Sequence, residues 1–218
     1  MTMQVRPVTL TGQVVRLEPL APEHAAALYQ AAQDPSIWRY MPTDPSGSVA
    51  EMERWIADAL VERDAGRQIP FATVERPSGQ VIGSTRYLNI APQDYGLEIG
   101  WTWLTPRAQR TASNTECKYL LMRHAFEDLG AIRVQLKTDS RNTISQRAIE
   151  RLGAVREGVL RKAVIIQRDG YQRSSVMYSV TDDEWPAVKA RLEGFMRRED
   201  RSGANGPEDA ILQAEEAK

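Results

Sequence analysis

The sequence predicts an α+β or α/β protein built on one mixed sheet, and three observations support this prediction. Strand-like and helical segments follow one another in the order β-α-α-β-β-β-α-β-α-β-β-α. One helical segment separates the strand-like segments 95–104 and 131–139, so at least one connection is a crossover. The length of 218 residues suits one ordinary domain with a tail.

In the first part of the chain, the spacing of apolar residues assigns each element in turn. Residues 12–20 alternate apolar and polar side chains, which predicts a strand, and the Ala-rich stretch 21–33 has helical spacing. Residues 34–48 hold three prolines and a glycine around Trp38 and Tyr40. This composition predicts a loop, and its apolar middle indicates that the loop packs over a neighbouring surface.

The central part of the chain predicts one more helix and three strands. Residues 49–66 place their apolar side chains on one helical face, and a glycine closes the segment. The runs 70–76, 80–90 and 95–104 are strand-like. The short sequence Pro-Ser-Gly at 77–79 joins the first two runs and is typical of a hairpin turn.

The next helix is predicted at 113–130 and is followed by a strand and a shorter helix. Ser113 and Glu116 have the spacing of a capping box, and a glycine follows the last turn. Residues 131–139 predict a strand, and 145–153 predict a short helix that ends at its glycine.

The last elements are a hairpin and a helix. Strand-like residues 155–167 and 171–180 flank Arg-Asp-Gly at 168–170, which predicts a tight turn. A second capping box precedes the apolar periodicity of 184–198. We therefore expect one domain over residues 1–199, followed by a polar tail over 200–218.

Composition and charge exclude several classes of protein. The formal net charge is −1, from 28 basic and 29 acidic residues, so no global attraction to nucleic acid or anionic membranes is expected. No apolar run is long enough to span a membrane, and the first residues lack the apolar core of a signal peptide. One cysteine, Cys117, and two histidines, His24 and His124, argue against disulfides and metal sites. We expect a cytoplasmic protein without a metal, and we interpret Cys117 and His124 as structural.

The segment between the strand 95–104 and the helix 113–130 has the character of an anion site. The first N–H groups of a helix lack internal partners, and the helix dipole adds positive potential there. Small side chains at Thr111, Ala112 and Ser113 would let a phosphate approach the backbone, and Arg107 and Arg110 add positive charge. The alternative interpretation is an ordinary capped helix at the surface.

Residues Gln109–Asn114 resemble the Q/R-x-x-G-x-G/A pyrophosphate loop of the GNAT acetyltransferases, and Pro106 precedes them as in many members. The downstream sequence is similar to the RimJ/RimL-type branch, including an N-x-x-S motif at Asn142 and Ser145. The resemblance covers about residues 12–195 and includes the order of elements. Two positions depart from the motif, because Ala112 and Asn114 stand where the family has glycine or another small residue.

The resemblance implies the GNAT fold, in which a mixed, mostly antiparallel sheet of about seven strands is flanked by helices and a splayed strand pair holds the coenzyme. It implies an N-acetyltransferase that moves an acetyl group from acetyl-CoA to a primary amine by direct attack in a ternary complex, without a metal. The amine would belong to a protein N-terminus or to a small molecule. The residues implied to bind acetyl-CoA are Trp103, Leu104, Thr105, Gln109, Arg110, Thr111, Ala112, Ser113, Asn114, Thr115 and Asn142.

Two side chains are candidates for proton transfer. Glu98 is the ionisable side chain on the strand before the loop and could accept the amine proton, whereas its structural alternative is an ion pair with an arginine such as Arg86. Ser145 could protonate the departing thiolate, whereas its structural alternative is a helix N-cap.

The acceptor is not identified by the sequence. Trp38, Tyr40, Arg86 and Trp101 are candidates to line its pocket, and Trp103 shares a strand face with Trp101. Core packing is the alternative for the tryptophans.

Three other functions remain open at this point. One is a non-catalytic acyl-CoA-binding module, and another is a detoxifying acetyltransferase for an antibiotic or an aminoacyl-nucleotide. The third is a nucleic-acid or ribosome-surface binder that uses a modest basic patch of Arg147, Arg151, Arg156, Arg161 and Lys162. A homodimer is left open, and no membrane partner is expected.

Overall fold

A mixed sheet organises the part of the chain that the structure, a computed structural model, describes: residues 2–166 and 168–204. Eight strands of these residues lie in the order β1-β2-β3-β4-β5-β6-β8-β7. The strands are β1 (Leu10–Thr11), β2 (Val15–Pro19), β3 (Ile69–Glu75), β4 (Val81–Ala91), β5 (Gly96–Leu104), β6 (Arg133–Asp139), β7 (Val155–Ile166) and β8 (Tyr171–Thr181). The helices are α1 (Ala25–Ala31), α2 (Val49–Asp64), α3 (Ala112–Arg123), α4 (Thr143–Leu152) and α5 (Trp185–Ala204).

The sheet is antiparallel except between β5 and β6, which are parallel and connected by α3. This arrangement confirms the predicted mixed, mostly antiparallel sheet and its crossover helix. The strand predicted at 12–20 corresponds to the shorter β2, and the two-residue strand β1, which was not predicted, pairs with it in a hairpin around Gly12.

Helices cover both faces of the sheet and bury two hydrophobic clusters. Apolar side chains of α3, α4 and α5 pack against one face, around Leu120, Leu152 and Leu192. The helices α1 and α2 pack against the other face, around Leu28 and Ile56. On this face, α1 and α2 cover β3 and β4. The loop after α1 covers β5, β6 and β8.

The start of α3 differs from the prediction. Its N-cap is Thr111, whose Oγ1 accepts a hydrogen bond from the Ser113 amide at 3.2 Å, so the capping box predicted at Ser113 is wrong. The Glu116 carboxylate turns away from the helix end and binds the chain before β2 instead. The helix ends at Arg123, and a π-helical turn over His124–Asp128 leads to Gly130, whose φ is +69°.

The predicted ends of the last elements are largely confirmed. Gly153 ends α4 with a φ of +105°, and Gly170 occupies the β7–β8 turn with a φ of +70°. The helix α5 runs to Ala204, past the predicted domain end at 199. The rest of the predicted tail, residues 205–218, lies outside the described residues.

Candidate active site

The sheet opens between β5 and β6. The two strands pair at Gly96 with Arg133, Leu97 with Val134, and Glu98 with Gln135, and their pairing ends there although they continue to Leu104 and Asp139. The facing backbone groups beyond Glu98 therefore lack a strand partner in these two described strands, and such groups need a partner when they are buried. This wedge is the splayed strand pair that the resemblance implies.

A β-bulge bends β5 at the wedge. Ser84 pairs with Trp103 and Arg86 with Gly100, so two residues of β5 oppose Thr85. Trp101 takes a φ of +50° at this point, and a bulge of this kind re-aims the strand that carries it.

A chain of polar groups braces the bulge from the α3 side. The Oγ1 atoms of Thr85 and Thr102 lie 2.8 Å apart, and Lys118 on α3 donates from Nζ to Thr102 Oγ1 at 2.7 Å. Burial lowers the pKa of the Lys118 amine to about 8.

Glu98 lies at the closed end of the wedge with only 1% of its surface exposed. Its Oε2 accepts hydrogen bonds from Asn89 Nδ2 at 2.8 Å, Gln135 Nε2 at 3.1 Å and Lys137 Nζ at 3.1 Å. No hydrogen bond from a described residue reaches its Oε1. A Cβ on Gly100 would lie 3.0 Å from that oxygen, so the glycine leaves space beside it. The ion-pair partner of Glu98 is Lys137, and the alternative pairing with Arg86 is wrong.

Arg86 instead lies between two indole rings on the α2 side of the sheet. Its guanidinium carbon is 4.4 Å from the ring centroid of Trp55 and 4.7 Å from that of Trp101, and its Nη1 donates to Gln68 Oε1 at 3.0 Å. Burial lowers the pKa of Arg86 to about 10. Arg86 pairs across the sheet with Gly100, so Arg86 and half-buried Trp101 flank the space beside Glu98.

The other predicted aromatic residues divide into interior and surface. Trp38 and Trp103 are 1% and 4% exposed, and their rings pack 5.2 Å apart in the cluster under α1 and α2. Trp38 also donates from Nε1 to the Ala32 carbonyl at 2.8 Å. Core packing therefore accounts for this pair. Tyr40 is half-buried in the loop after α1, with the Arg141 guanidinium 5.8 Å from its ring.

The predicted pyrophosphate loop leads into α3 through a short 3₁₀ turn at Pro106–Ala108. Arg110, with a φ of +60°, takes the left-handed conformation, whereas Ala112 is the first residue of α3 and keeps a negative φ. Alanine in place of the family's glycine therefore carries no backbone penalty at this position. Within the first turn, Ser113 and Thr115 are buried and Asn114 is half-buried.

The two arginines of this loop differ in their contacts. Arg107 binds Glu75 Oε1 at 2.9 Å and Gln80 Oε1 at 2.8 Å, so it ties the loop to the β3–β4 hairpin. Arg110 is exposed, and no described residue forms an ion pair with it. Of these two arginines, Arg110 is therefore the one whose charge is not engaged by a described carboxylate.

The backbone groups at the end of β5 that were predicted to contact the coenzyme do not all face the wedge. The Thr105 amide donates to the Ile82 carbonyl at 2.8 Å, and the Trp103 carbonyl packs against Gly83. Both groups face β4, which corrects the expectation that they face the coenzyme. Leu104 lies between them and faces the wedge, because neighbouring residues of a strand point their backbone groups to opposite sides. Its carbonyl accepts from Gln109 Nε2 at 3.0 Å.

The N-x-x-S motif caps α4 beyond the open end of the wedge. Asn142 is the N-cap, and its Oδ1 accepts from the Ser145 amide at 3.0 Å. The alternative in which Ser145 itself is the cap is wrong. Among the described residues, the Ser145 hydroxyl has no hydrogen-bond partner, and the side chain is half-buried.

Sequence reasoning missed two polar residues on β8. Arg173 and Ser175 are 8% and 1% exposed, and no described residue hydrogen-bonds to the Nε of Arg173 or to the Oγ of Ser175. The available signal was the alternation of β8, because Val176, Tyr178 and Val180 face the core and so assign Arg173 and Ser175 to the other face.

The remaining reactive side chains have structural roles. Cys117 is fully buried, and burial raises the pKa of its thiol to about 11. His124 contacts Asp128 at 2.8 Å. The described residues contain no cluster of three or more acidic, histidine or cysteine side chains that could hold a metal. Among the helices that the structure describes, none has the length and hydropathy of a membrane span.

Comparisons with known proteins agree with this geometry. The model of the acetyltransferase (GNAT) domain family matches residues 15–155. The uncharacterized N-acetyltransferase p20 of Bacillus licheniformis is 27% identical over 156 residues, which cover 70% of this chain and 85% of that protein. The structure of an acetyltransferase from T. thermophilus is similar at a TM-score of 0.81 and 40% identity, covering 89% of this chain and 100% of that one.

A further similar structure is that of RimJ from Mycobacterium smegmatis, solved in complex with CoA-disulfide. Its TM-score is 0.72 over 89% of this chain and 94% of that one, at 20% identity. At this level of identity the likeness concerns the fold alone.

Proposed function

Since the chain belongs to the GNAT acetyltransferase family, we propose that it transfers an acetyl group from acetyl-CoA to a primary amine by direct attack within a ternary complex, and that it belongs to the RimJ/RimL-type branch. The observation that carries the proposal is the Glu98 carboxylate at the closed end of the wedge, with one oxygen free beside Gly100. The N-x-x-S motif at Asn142 and Ser145 supports the choice of branch.

The chain offers two features that fit acetyl-CoA. The amides of Ala112 and Asn114, which precede the first intrahelical bond of α3 and are not used by the Thr111 cap, suit a pyrophosphate. The guanidinium of Arg110, which has no ion-pair partner among the described residues, adds positive charge. The Leu104 amide on the β5 edge of the wedge and the Asn142 Nδ2, which have no hydrogen-bond partner among the described residues, suit the amides of pantetheine. When bound, acetyl-CoA supplies the acetyl group as a thioester. The likeness to a RimJ solved with CoA-disulfide is consistent with this fit.

Glu98 is the proposed base. A protein N-terminal amine has a pKa of about 8 and a lysine side chain of about 10.4, so either must lose a proton before it attacks. Three donors hold Oε2 and orient the carboxylate, and Oε1 remains able to accept the amine proton, directly or through a water.

Ser145 is the proposed acid. Its hydroxyl is not used for capping, and it follows the end of β6 on the open side of the wedge, where it would donate a proton to the departing sulfur. Because a thiolate has a pKa near about 8.5 and leaves without much assistance, the contribution of this donor is modest.

The acceptor side of the site is proposed to include Tyr40, Arg86 and Trp101. These residues are half-buried or lie against a half-buried ring on the face of Glu98. A half-buried indole stacked on a cation is a surface that an aromatic or cationic acceptor can extend.

A thiol-release assay with acetyl-CoA and a panel of primary amines tests the proposed reaction. We expect amine-dependent release of CoA that rises with pH until the amine is deprotonated. Ser145→Ala should lower kcat about 10- to 1,000-fold while CoA affinity is kept. Binding of CoA without turnover on any amine would instead favour the non-catalytic module.

Calorimetry with CoA tests the coenzyme site separately. Ala112→Asp should abolish binding, because a carboxylate would then face the pyrophosphate at the helix end. Ala187→Asp adds the same charge in the first turn of α5, far along the chain from the loop, and should bind CoA like the wild type. Wild-type affinity in Ala112→Asp would refute the site.

A further inference from the structure

Two polar side chains of β8 are buried without adequate partners. The Arg173 guanidinium makes one hydrogen bond within the described residues, from Nη1 to the Tyr40 carbonyl at 3.5 Å, which is the outer limit for such a bond. Its Nε and the Ser175 hydroxyl have none from that part of the chain. Burial lowers the pKa of Arg173, as expected for a cation that has lost water without gaining a close counterion.

The carboxylate closest in the sheet to these residues is already engaged. Asp139 pairs with Ser175 across β6 and β8. Both oxygens of the Asp139 carboxylate accept hydrogen bonds from Arg141, Oδ1 from Nε at 3.2 Å and Oδ2 from Nη2 at 3.0 Å. The negative charges of Asp139 and Glu98 act on Arg173, but no described carboxylate lies within ion-pair distance of it. One buried positive charge therefore remains without a counterion among the described residues.

Arg173 and Ser175 share a face of the sheet with the proposed base. Residues opposite each other on paired strands lie on the same face, and alternate residues of a strand do so too. Glu98 pairs with Gln135, and Asp139 pairs with Ser175. Since Gln135 and Asp139 are an even number of residues apart on β6, all four side chains lie on one face of the sheet. Arg173 lies two residues from Ser175 and belongs to the same set.

The loop after α1 covers this face. The Tyr40 carbonyl accepts from Arg173, and the Trp38 carbonyl accepts from Arg168 Nη1 at 3.4 Å. The loop therefore spans from α1 to the β7–β8 hairpin, and Arg173 lies under it.

We infer that Arg173 and Ser175 bind an anionic group of the acceptor, a carboxylate or a phosphate, and thereby present its amine to Glu98. This inference rests on the proposed transfer to an amine. A guanidinium offers paired donors that match the geometry of a carboxylate or phosphate, and a neighbouring hydroxyl adds a third donor. The acceptor class is thus a primary amine that carries its own negative charge.

Calorimetry on the protein saturated with CoA tests the inference. The probes are amino acids with one to five carbons between amine and carboxylate, each compared with its neutral carboxamide, and O-phosphoethanolamine compared with ethanolamine. We expect at least one anionic probe to bind about 10-fold or more tightly than its neutral partner, as charge-assisted hydrogen bonds allow. The carboxylate and phosphate arms distinguish the two sources of charge.

Three variants test whether Arg173 and Ser175 cause the preference for anionic probes. Arg173→Gln should abolish the advantage of the anionic probe, and Ser175→Ala should reduce it several-fold. Arg161→Gln removes an exposed arginine from the neighbouring strand β7 and should keep the full preference. The melting temperature of Arg173→Gln should equal or exceed that of the wild type, because a structural arginine would stabilise the fold whereas an unpaired buried cation does not. Should Arg173→Gln fail to fold, Arg173→Lys, which keeps the charge but loses the fork, and Ser175→Ala decide the question.

Equal binding of anionic and neutral probes across the series, or no binding of either, would overturn the inference, as would a preference that persists in Arg173→Gln. The thiol-release assay distinguishes a failure of this inference from a failure of the proposed function. Absence of turnover on every amine overturns the proposed transfer. Turnover without a preference for anionic amines overturns only the assignment of Arg173 and Ser175.

Discussion

Glu98 and Glu116 are both buried carboxylates that accept three hydrogen bonds, yet they use their oxygens differently. Glu116 Oε1 accepts from the Gln13 amide and Oε2 from the Val14 and Val15 amides, each at 2.7 Å. Glu98 receives its three donors on Oε2 alone, and all three come from side chains.

The difference separates a structural carboxylate from a candidate catalytic one. Glu116 fastens the β1–β2 turn to α3, and its two oxygens both have donors. Glu98 is fixed as firmly, but its second oxygen stays free of described donors beside Gly100. Burial alone therefore does not identify a catalytic residue, whereas a buried group with unused hydrogen-bonding capacity does indicate a ligand.

Removing the charge of Glu98 should lower activity, whereas removing the charge of Glu116 should lower stability. We expect Glu98→Gln to lower kcat about 10²- to 10⁴-fold with little change in melting temperature, since a general base contributes on that scale. Glu116→Gln places an amide against backbone donors and should cost about 2–4 kcal/mol of stability while the folded fraction keeps its kcat. Steady-state kinetics and thermal melts of both variants provide the measurement.

A matched carboxylate variant controls this pair. Glu157 forms an exposed ion pair with Arg133, so Glu157→Gln should change neither kcat nor the melting temperature by much. The distinction fails if Glu98→Gln melts early with unchanged kcat, or if Glu116→Gln melts normally and loses activity.

The space beside Glu98 gives the next test. A Cβ on Gly100 would lie 2.9 Å from Leu88 Cδ2 and 3.0 Å from Glu98 Oε1, so Gly100→Ala should crowd the free oxygen and lower kcat/KM about 10-fold or more. Gly158 on β7 has nothing within 4 Å of such a Cβ, and Gly158→Ala should leave kinetics unchanged. Equal kinetics of the two variants would show that the space is not used.

The sequence predicted the local parts of this architecture well. Turn and end signals are short-range, so Gly153 and Gly170 marked the end of α4 and the β7–β8 turn directly. The parallel strand pair also followed, because a helix between two strands requires a crossover. The sequence also indicates Glu98 as a candidate, because it is the acidic side chain on its strand.

The contacts that give each residue its role could not be predicted in the same way. The donors to Glu98 come from β4 and β6, and the amides that bind Glu116 are about a hundred positions away in the chain. The false capping box at Ser113 has the same origin, because a distant turn recruits Glu116. The bulge at Trp101 depends on strand register, which the pattern of one strand does not contain.

The two arginines of the pyrophosphate loop also differ in whether neighbouring groups engage them, and the expected effect on CoA binding is smaller. Arg110 has no ion-pair partner among the described residues, so Arg110→Gln should weaken CoA binding about 3- to 10-fold, with a smaller effect at high salt. Arg107 is engaged by Glu75 and Gln80, so Arg107→Gln should bind CoA almost normally. Calorimetry at two salt concentrations distinguishes them, and a larger loss at Arg107 would contradict the assignment.

Lys118 should affect stability rather than activity, and its effect is visible as a change of stability with pH. Burial lowers the pKa of its amine to about 8, whereas the unfolded chain regains a value of about 10.4. Between these values the unfolded chain binds a proton that the folded chain does not, so this group makes stability rise with pH from about 8 to 10. The difference in melting temperature between the wild type and Lys118→Met should change over that range, in favour of the wild type, and be flat below it. A pH-independent difference would contradict the lowered pKa.

The most direct test of the central claim, that the free oxygen of Glu98 removes the amine proton, is the pH profile of kcat/KM for the wild type and Glu98→Gln on one amine. We expect the largest loss at low pH and a recovery of Glu98→Gln as the free amine becomes abundant at high pH. A loss of the same size at every pH, accompanied by a lower melting temperature, would contradict it and make Glu98 a structural carboxylate like Glu116.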